Sequence, residues 1–261
     1  MSQRAPTELT IERAARTLGG IAPRTSAARD WQIVRWVARM GAVTLAHLRA
    51  RFELGRTVAY RRIAACMAAG LLERVETLQG QPALIRAARR GLRFTGVQLR
   101  VAQVRPDLVG HWIACGDVAL ALEAEFGPGA VVSEREIRAL ERDEGRPVAS
   151  AVVGERPDGS EILHRPDLAA RSHGVWVGVE IELTPKAPER LEAIVRAWRR
   201  ARWLAGARYY VSPGATSQAL VRAVRATHSE ERIEIRKLRL EGVPAVPLAR
   251  DASASCLGAV R

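Results

Sequence analysis

Three carboxylates and one ammonium fall inside a single short window, HRPDLAARSHGVWVGVEIELTPK: Asp167, Glu180, Glu182 and Lys186. Hard divalent cations such as Mg²⁺ or Mn²⁺ bind convergent carboxylate oxygens. A cation held between Asp167 and Glu180 polarises a phosphodiester and lowers the pKa of an attacking water. A lysine beside it orients that water or stabilises the charge that develops on the phosphoryl group. Lys186 stands out on composition too, because of 41 basic side chains only Lys186 and Lys237 are lysine.

Such chemistry needs elements that bring the groups together. VWVGVEIELT reads as the clearest strand of the chain, and its period of two sorts the side chains. Val175, Val177, Val179, Ile181 and Leu183 face one way, into a core. Trp176, Gly178, Glu180, Glu182 and Thr184 face the other, so both glutamates share a side. Asp167 lies 13 residues before Glu180, a separation suited to an antiparallel hairpin through RSHG that sets the two side by side. Around this strand, helix-like and strand-like segments alternate. A helix within HWIACGDVALALEAEF, with Trp112, Val118, Leu122 and Phe126 inward, precedes AVVSEREI, a strand that turns into a short helix. EILHRPDLAAR reads as a strand interrupted by proline. ERLEAIVRAWRRARWLAG reads as an amphipathic helix with Leu191, Ile194, Val195, Trp198 and Leu204 at helical spacings. The short strand ARYYVS, the helix SQALVRAVRAT and the strand RIEIRKLRL complete an order that implies a mixed sheet covered by helices.

RPD followed by VEIEL and then a helix resembles the core of the PD-(D/E)xK nucleases. The whole chain resembles the replication-relaxation type of protein found on actinobacterial plasmids and integrative elements, over about residues 28–240. That resemblance implies an N-terminal winged helix and a nuclease-like, restriction-endonuclease-like C-terminal domain. Carried over by residue, Asp167 matches the motif aspartate and Glu180 the acidic position. Glu182 stands where the family has lysine. Three explanations stay open: Lys186 supplies the ammonium from a migrated position, Glu182 is a third metal ligand, or the site has lost its chemistry. Glu123 on the preceding helix is a further candidate ligand against an ordinary solvent-facing glutamate, and His164 a candidate assistant at the site.

The N-terminal part carries the opposite charge pattern. Residues 1–110 hold 19 Arg and 7 acidic residues, while residues 111–261 hold 22 basic and 21 acidic ones. Nearly all of the formal net charge of +13 therefore sits in the first part, the footprint of a module that binds a polyanion. RDWQIVRWVARMG places Ile33, Val37 and Met40 at helical spacing with Gly41 as a stop. Thr44 is a candidate cap for a second helix with Leu45, Leu48 and Phe52 on one face. RTVAYRRIAACMAAG gives a third, in which Ile63 and Met67 point inward and Thr57, Arg61 and Ala64 point elsewhere. LLERVETLQGQPALIRA then reads as a hairpin around a QGQP turn. Three helices and a hairpin follow the order of a winged helix-turn-helix, whose third helix enters the major groove. Arg56, Thr57, Tyr60, Arg61 and Arg62 fall on or beside that helix. Arg86, Arg89, Arg90 and Arg93 flank the wing.

The expected organisation is thus a two-domain chain mixing α+β and α/β features. A mobile segment (1–27) precedes the winged helix (28–96), a connector (97–110) leads to the nuclease-like mixed sheet flanked by helices (111–240), and a mobile tail (241–261) follows. No apolar run is long enough to span a membrane and no signal peptide is evident. Cys66, Cys115 and Cys256 form neither a disulfide framework nor a thiolate zinc site, which suits a reducing cytoplasm. No P-loop, dinucleotide fingerprint or nucleophile elbow is present. Arg196, Arg199, Arg200 and Arg202 are basic positions expected near the carboxylates, on a face suited either to a DNA backbone or to plain solvent. Two functions remain: a DNA-binding protein with Mg²⁺- or Mn²⁺-dependent cleavage in replication or transfer of a mobile element, or a non-catalytic regulator whose nuclease-like domain is an interaction platform. DNA is the partner in both, with replication or transfer proteins, or a second copy of the chain, as further candidates.

Overall fold

The computed structural model describes residues 24–77, 80–172 and 174–238. Of the segments expected to be mobile, 1–23 and 241–261 lie outside the described residues, as do Gln79 of the expected turn and His173 of the expected hairpin. The chain divides into two compact units, with the boundary between Trp112 and Ile113. No described helix is long and apolar enough to cross a membrane.

The first unit opens with α1 (Arg24–Met40), which starts ahead of the RDWQIV pattern because its first turn carries small residues without an apolar period. Besides the expected Ile33, Val37 and Met40, it buries Trp31, Val34, Trp36 and Ala38, so it is wrapped on most sides. Gly41 (φ 96°) ends it, and β1 (Ala42–Thr44) follows, a strand too short to show a period. Thr44 then caps α2 (Leu45–Arg51): its hydroxyl accepts from His47 N at 3.1 Å, and Thr44 N donates to His47 Nδ1 at 3.1 Å. This is a reciprocal capping box with histidine in the third position.

α3 (Arg56–Ala68) buries only Ala59, Ile63 and Cys66. β2 (Leu72–Val75) and β3 (Leu84–Ala87) pair antiparallel, and β1 joins β3 on its other edge, giving the order β1-β3-β2. A fourth helix, α4 (Arg89–Thr95), was hidden in RRGLRFT because seven residues are too few for a clear moment; Gly96 (φ 69°) closes it. In the expected connector, only Pro106–Leu108 forms a turn of 3₁₀ helix before α5 (Val109–Phe126) begins.

The second unit is built on a mixed five-stranded sheet in the order β10-β9-β8-β7-β4. Its strands are β4 (Val131–Ser133), β7 (Leu168–Ser172), β8 (Val175–Glu182), β9 (Leu204–Val211) and β10 (Ile233–Lys237). β8, β9 and β10 run parallel, joined by α7 (Pro188–Arg200) and α8 (Ala215–Ala226), while β7 is antiparallel to both β4 and β8. Parallel neighbours require such crossovers, and the covering helices bury the sheet.

Three expectations are corrected here. EILHRPDLAAR is not one interrupted strand: β6 (Glu161–His164) pairs with β5 (Ala151–Glu155) in a separate two-stranded sheet, and only β7 belongs to the main sheet. Pro166 lacks an N–H and biases Arg165 away from continuing the same ladder, so the chain changes sheets there. The helix after the carboxylates ends at Arg200, and Leu204 starts β9 instead of continuing the apolar stripe. Finally, α6 (Glu134–Glu144) is a full helix, capped by the Ser133 hydroxyl and Glu136.

Candidate functional site

β8 is buried on both faces from Val177 to Glu182, as the central strand of the five should be. On the side away from Val177, Val179 and Ile181, α7 lays Leu191, Ile194, Val195 and Trp198 over Ala207, Tyr209 and Val211 of β9. Gly178 makes this possible: a Cβ there would lie 2.8 Å from Trp198 Cη2. Glu180 and Glu182 project onto this same side, beside Tyr209 and Val211 in register. They are 3% and 7% exposed.

Asp167 sits one step past the last β7–β8 pair, Leu168 with Val179, and so faces Glu180 across the end of the ladder. Its Oδ2 accepts from Ile181 N at 2.8 Å, and its backbone oxygen accepts from Glu134 N at 2.9 Å. The expected neighbour relation of Asp167 and Glu180 is therefore what the hairpin register produces. A buried acid holds the approach to it. Glu141 on α6 accepts from Val148 N and Ser150 N at 3.2 and 3.1 Å, and from Arg165 Nε at 2.9 Å, fixing the residues just before Pro166 and Asp167.

Basic side chains of the same chain meet the two glutamates. His164 Nε2 is 2.7 Å from Glu180 Oε1, with its ring edge-on to Trp198 at 5.8 Å. Burial opposes a charge on His164, but the Glu180 carboxylate, with Asp167 behind it, outweighs burial and Lys186 and raises its pKa above 6.5. Lys186, in the loop before α7, donates to Glu182 Oε1. Burial raises the Glu182 carboxyl above the usual 4.5, Lys186 opposes this, and Glu180 and Asp167 add to it. Tyr209 is fully buried among these groups, and burial together with Glu180 and Glu182 pushes its phenol well above the ordinary value.

Among the described residues, no three His, Cys, Asp or Glu side chains are disposed to hold a metal ion. Glu182, placed with Lys186, does not make a three-carboxylate cage with Asp167 and Glu180. Two adjacent carboxylates nonetheless suit Mg²⁺, which keeps several waters and is commonly held by one or two carboxylates together with substrate phosphate. The hard oxygens of Asp167 and Glu180 fit that role. Glu123, the further candidate, is buried at 7% exposure and not solvent-facing. His164, a candidate assistant from the sequence, does meet Glu180, whereas Tyr209 and Glu141 had no place among the sequence candidates. Parity along β9 carries the only signal for Tyr209, and it becomes readable only once β9 is known to lie beside β8.

The basic residues of the first unit separate into two groups. Arg56, Thr57, Tyr60 and Arg61 are exposed on α3, Tyr60 at 54%, with Val58 beside them. Arg89, Arg90 and Arg93 are exposed on α4. Arg62 instead turns back to Asp30 of α1 at 2.6 Å. Arg86 is held by Glu73 at 2.8 Å and by the Ala102 carbonyl at 3.0 Å, which places it within the sheet's own bonding.

Compared with protein-family models, curated proteins and solved structures, the chain has no match.

Proposed function

We propose that the chain is a DNA-binding protein in which an N-terminal winged helix carries a nuclease-like domain acting in replication or transfer of a mobile element, as in the replication-relaxation type of protein. The winged-helix reading is supported by the element order helix, strand, helix, helix, strand, strand, with a three-stranded antiparallel sheet. It is also supported by α3, which leaves Arg56, Thr57, Tyr60 and Arg61 in solvent for a major groove and its phosphates. The observation that carries the nuclease reading is Asp167 facing Glu180 across the end of β7 and β8, with an ammonium delivered to the same face by Lys186.

Asp167 and Glu180 would hold Mg²⁺ or Mn²⁺, which when bound supplies polarisation of the phosphodiester and a more acidic water. Ile181 N fixes the Asp167 carboxylate, and Glu141 fixes the segment that leads into it. Glu182, at the position where the family has lysine, holds the Lys186 ammonium on the carboxylate face. There the ammonium orients water and offsets phosphate charge. Burial under α7 keeps the dielectric low and strengthens each of these interactions.

The pairs His164–Glu180 and Lys186–Glu182 favour a second reading, a regulator whose nuclease-like domain is a non-catalytic platform. Supercoiled and single-stranded DNA incubated with Mg²⁺ or Mn²⁺ decide between the two. Nicking by the wild type that disappears in Asp167→Ala supports catalysis. Nicking that survives the substitution, or none at all, leaves the regulator.

A further inference from the structure

The C-terminal end of α7 gathers four arginines, of which Arg196 alone forms an ion pair among the described residues. Arg196, Arg199, Arg200 and Arg202 line an open cleft of about 390 Å³. All four are exposed. Of their charges, Arg196 is paired with Glu192 at 2.6 Å, while Arg199 and Arg200 donate to backbone carbonyls, of Thr227 at 2.7 Å and Val152 at 3.4 Å. No bond to Arg202 occurs among the described residues, and burial together with the Arg202 charge holds the neighbouring Arg232 below its usual pKa. The cluster lies at the opposite end of α7 from Lys186. Lys186 precedes the first turn of α7, and the helix from Pro188 to Arg200 is about 18 Å long.

Arg200 also lines a second cleft, of about 430 Å³, together with Trp203, Ala197, Ala201, Val152, Gly154 and the carboxylates of Glu155 and Glu161. Trp203 is 43% exposed, an unusual place for an indole. Its Nε1 donates to Ser150 O at 3.3 Å, which holds the ring as a fixed plate at the cleft's edge. A cationic cleft that continues into an aromatic-edged one matches a repeating ligand with an anionic backbone and flat, apolar faces.

We infer that the Arg196–Trp203 surface binds single-stranded nucleic acid, with a backbone phosphate in the arginine cleft and an unstacked base on Trp203. Duplex DNA does not offer that base, since its faces are stacked inside the helix. Glu155 and Glu161, which line the second cleft, disfavour phosphate there and leave the backbone to the arginine cleft. Sequence-tolerant stacking of this kind is worth about 1–3 kcal/mol per base, roughly 5- to 150-fold in affinity. The residues that line the two clefts do not include Asp167, Glu180 or the arginines of α3.

Fluorescence anisotropy of the full chain with labelled (dT)₁₂ and with a labelled 20-base-pair duplex, at several salt concentrations, tests this. The variants are the double substitution Arg200→Ala/Arg202→Ala, Trp203→Ala and Trp203→Phe, each checked for an unchanged melting temperature. The expected result is a loss of about tenfold or more in (dT)₁₂ affinity for the arginine pair and for Trp203→Ala. Trp203→Phe recovers most of that loss, and duplex affinity is unchanged throughout. Wild type that does not bind (dT)₁₂, or an arginine pair that leaves (dT)₁₂ affinity as it was, overturns the inference. So does equal loss of duplex and single-strand binding, or displacement of (dT)₁₂ by heparin with no Trp203 effect, which would mark a general polyanion surface. If Trp203→Ala unfolds the unit, the arginine pair alone carries the test, because those side chains stand in solvent.

Discussion

On α3 and α4, Arg56, Arg61, Arg89, Arg90 and Arg93 stand in solvent, whereas on β8 Glu180 and Glu182 are covered and each meets a basic side chain of its own chain, His164 or Lys186. The first arrangement leaves the fold almost indifferent to the charges. Their hydration is intact, and a polyanion displaces condensed ions with little rearrangement of protein. In the second, every charge is tied to packing. Removing a partner from a buried pair leaves the other uncompensated, so binding, protonation and stability become one problem. Function by exposed charge is therefore separable from folding in this molecule, and function by buried charge is not.

The largest expected effect comes where a buried acid serves structure alone. Glu141→Ala strands Arg165 and two backbone N–H groups, so the second unit should lose about 3–5 kcal/mol by urea denaturation. A loss below about 1 kcal/mol would show that buried charge in this unit is less coupled to folding than the comparison holds. Next in size is Arg56→Ala/Arg61→Ala. Gel shifts on duplex DNA should show about a tenfold loss of affinity and a salt slope shallower by about 2, with the urea transition unmoved. An equal loss of stability would break the claim that these charges are free of the fold.

The smallest effect is one of pH. The raised pKa of His164 means that the His164–Glu180 pair contributes its full stability below pH 6.5 and loses it as pH rises through the folded-state value. Glu182 acts in the same direction, since ionising its raised carboxyl costs stability as pH rises above 4.5. The urea midpoint of the wild type should fall relative to His164→Gln between about pH 6 and 9, by less than the Glu141 effect. A constant difference across that range would remove charge from the His164–Glu180 contact.

Parts of this were legible without coordinates. Alternation along VWVGVEIE is fixed by backbone geometry, so Glu180 and Glu182 had to share a face, and the separation suited a hairpin that sets Asp167 level with Glu180, a register that the short turn between Ser172 and Val175 provides. Thr44 announced its helix for the same local reason. β1, α4 and β5 were not visible, because elements of three to seven residues carry too few side chains to show a period.

The chain by itself determined what depends on neighbours in sequence: side-chain parity, helix caps and the concentration of net positive charge in the first 110 residues. Tertiary structure alone decided which charges remain available. Arg62 is spent on Asp30 and Arg86 on Glu73, while Arg61, one residue from Arg62, is left in solvent. His164 is drawn to Glu180 by a change of sheet at Pro166, and the arginines of α7 are carried away from Lys186 by the length of their own helix. Coulomb energy depends on distance and local dielectric, and both are set by which elements pack together, not by order along the chain.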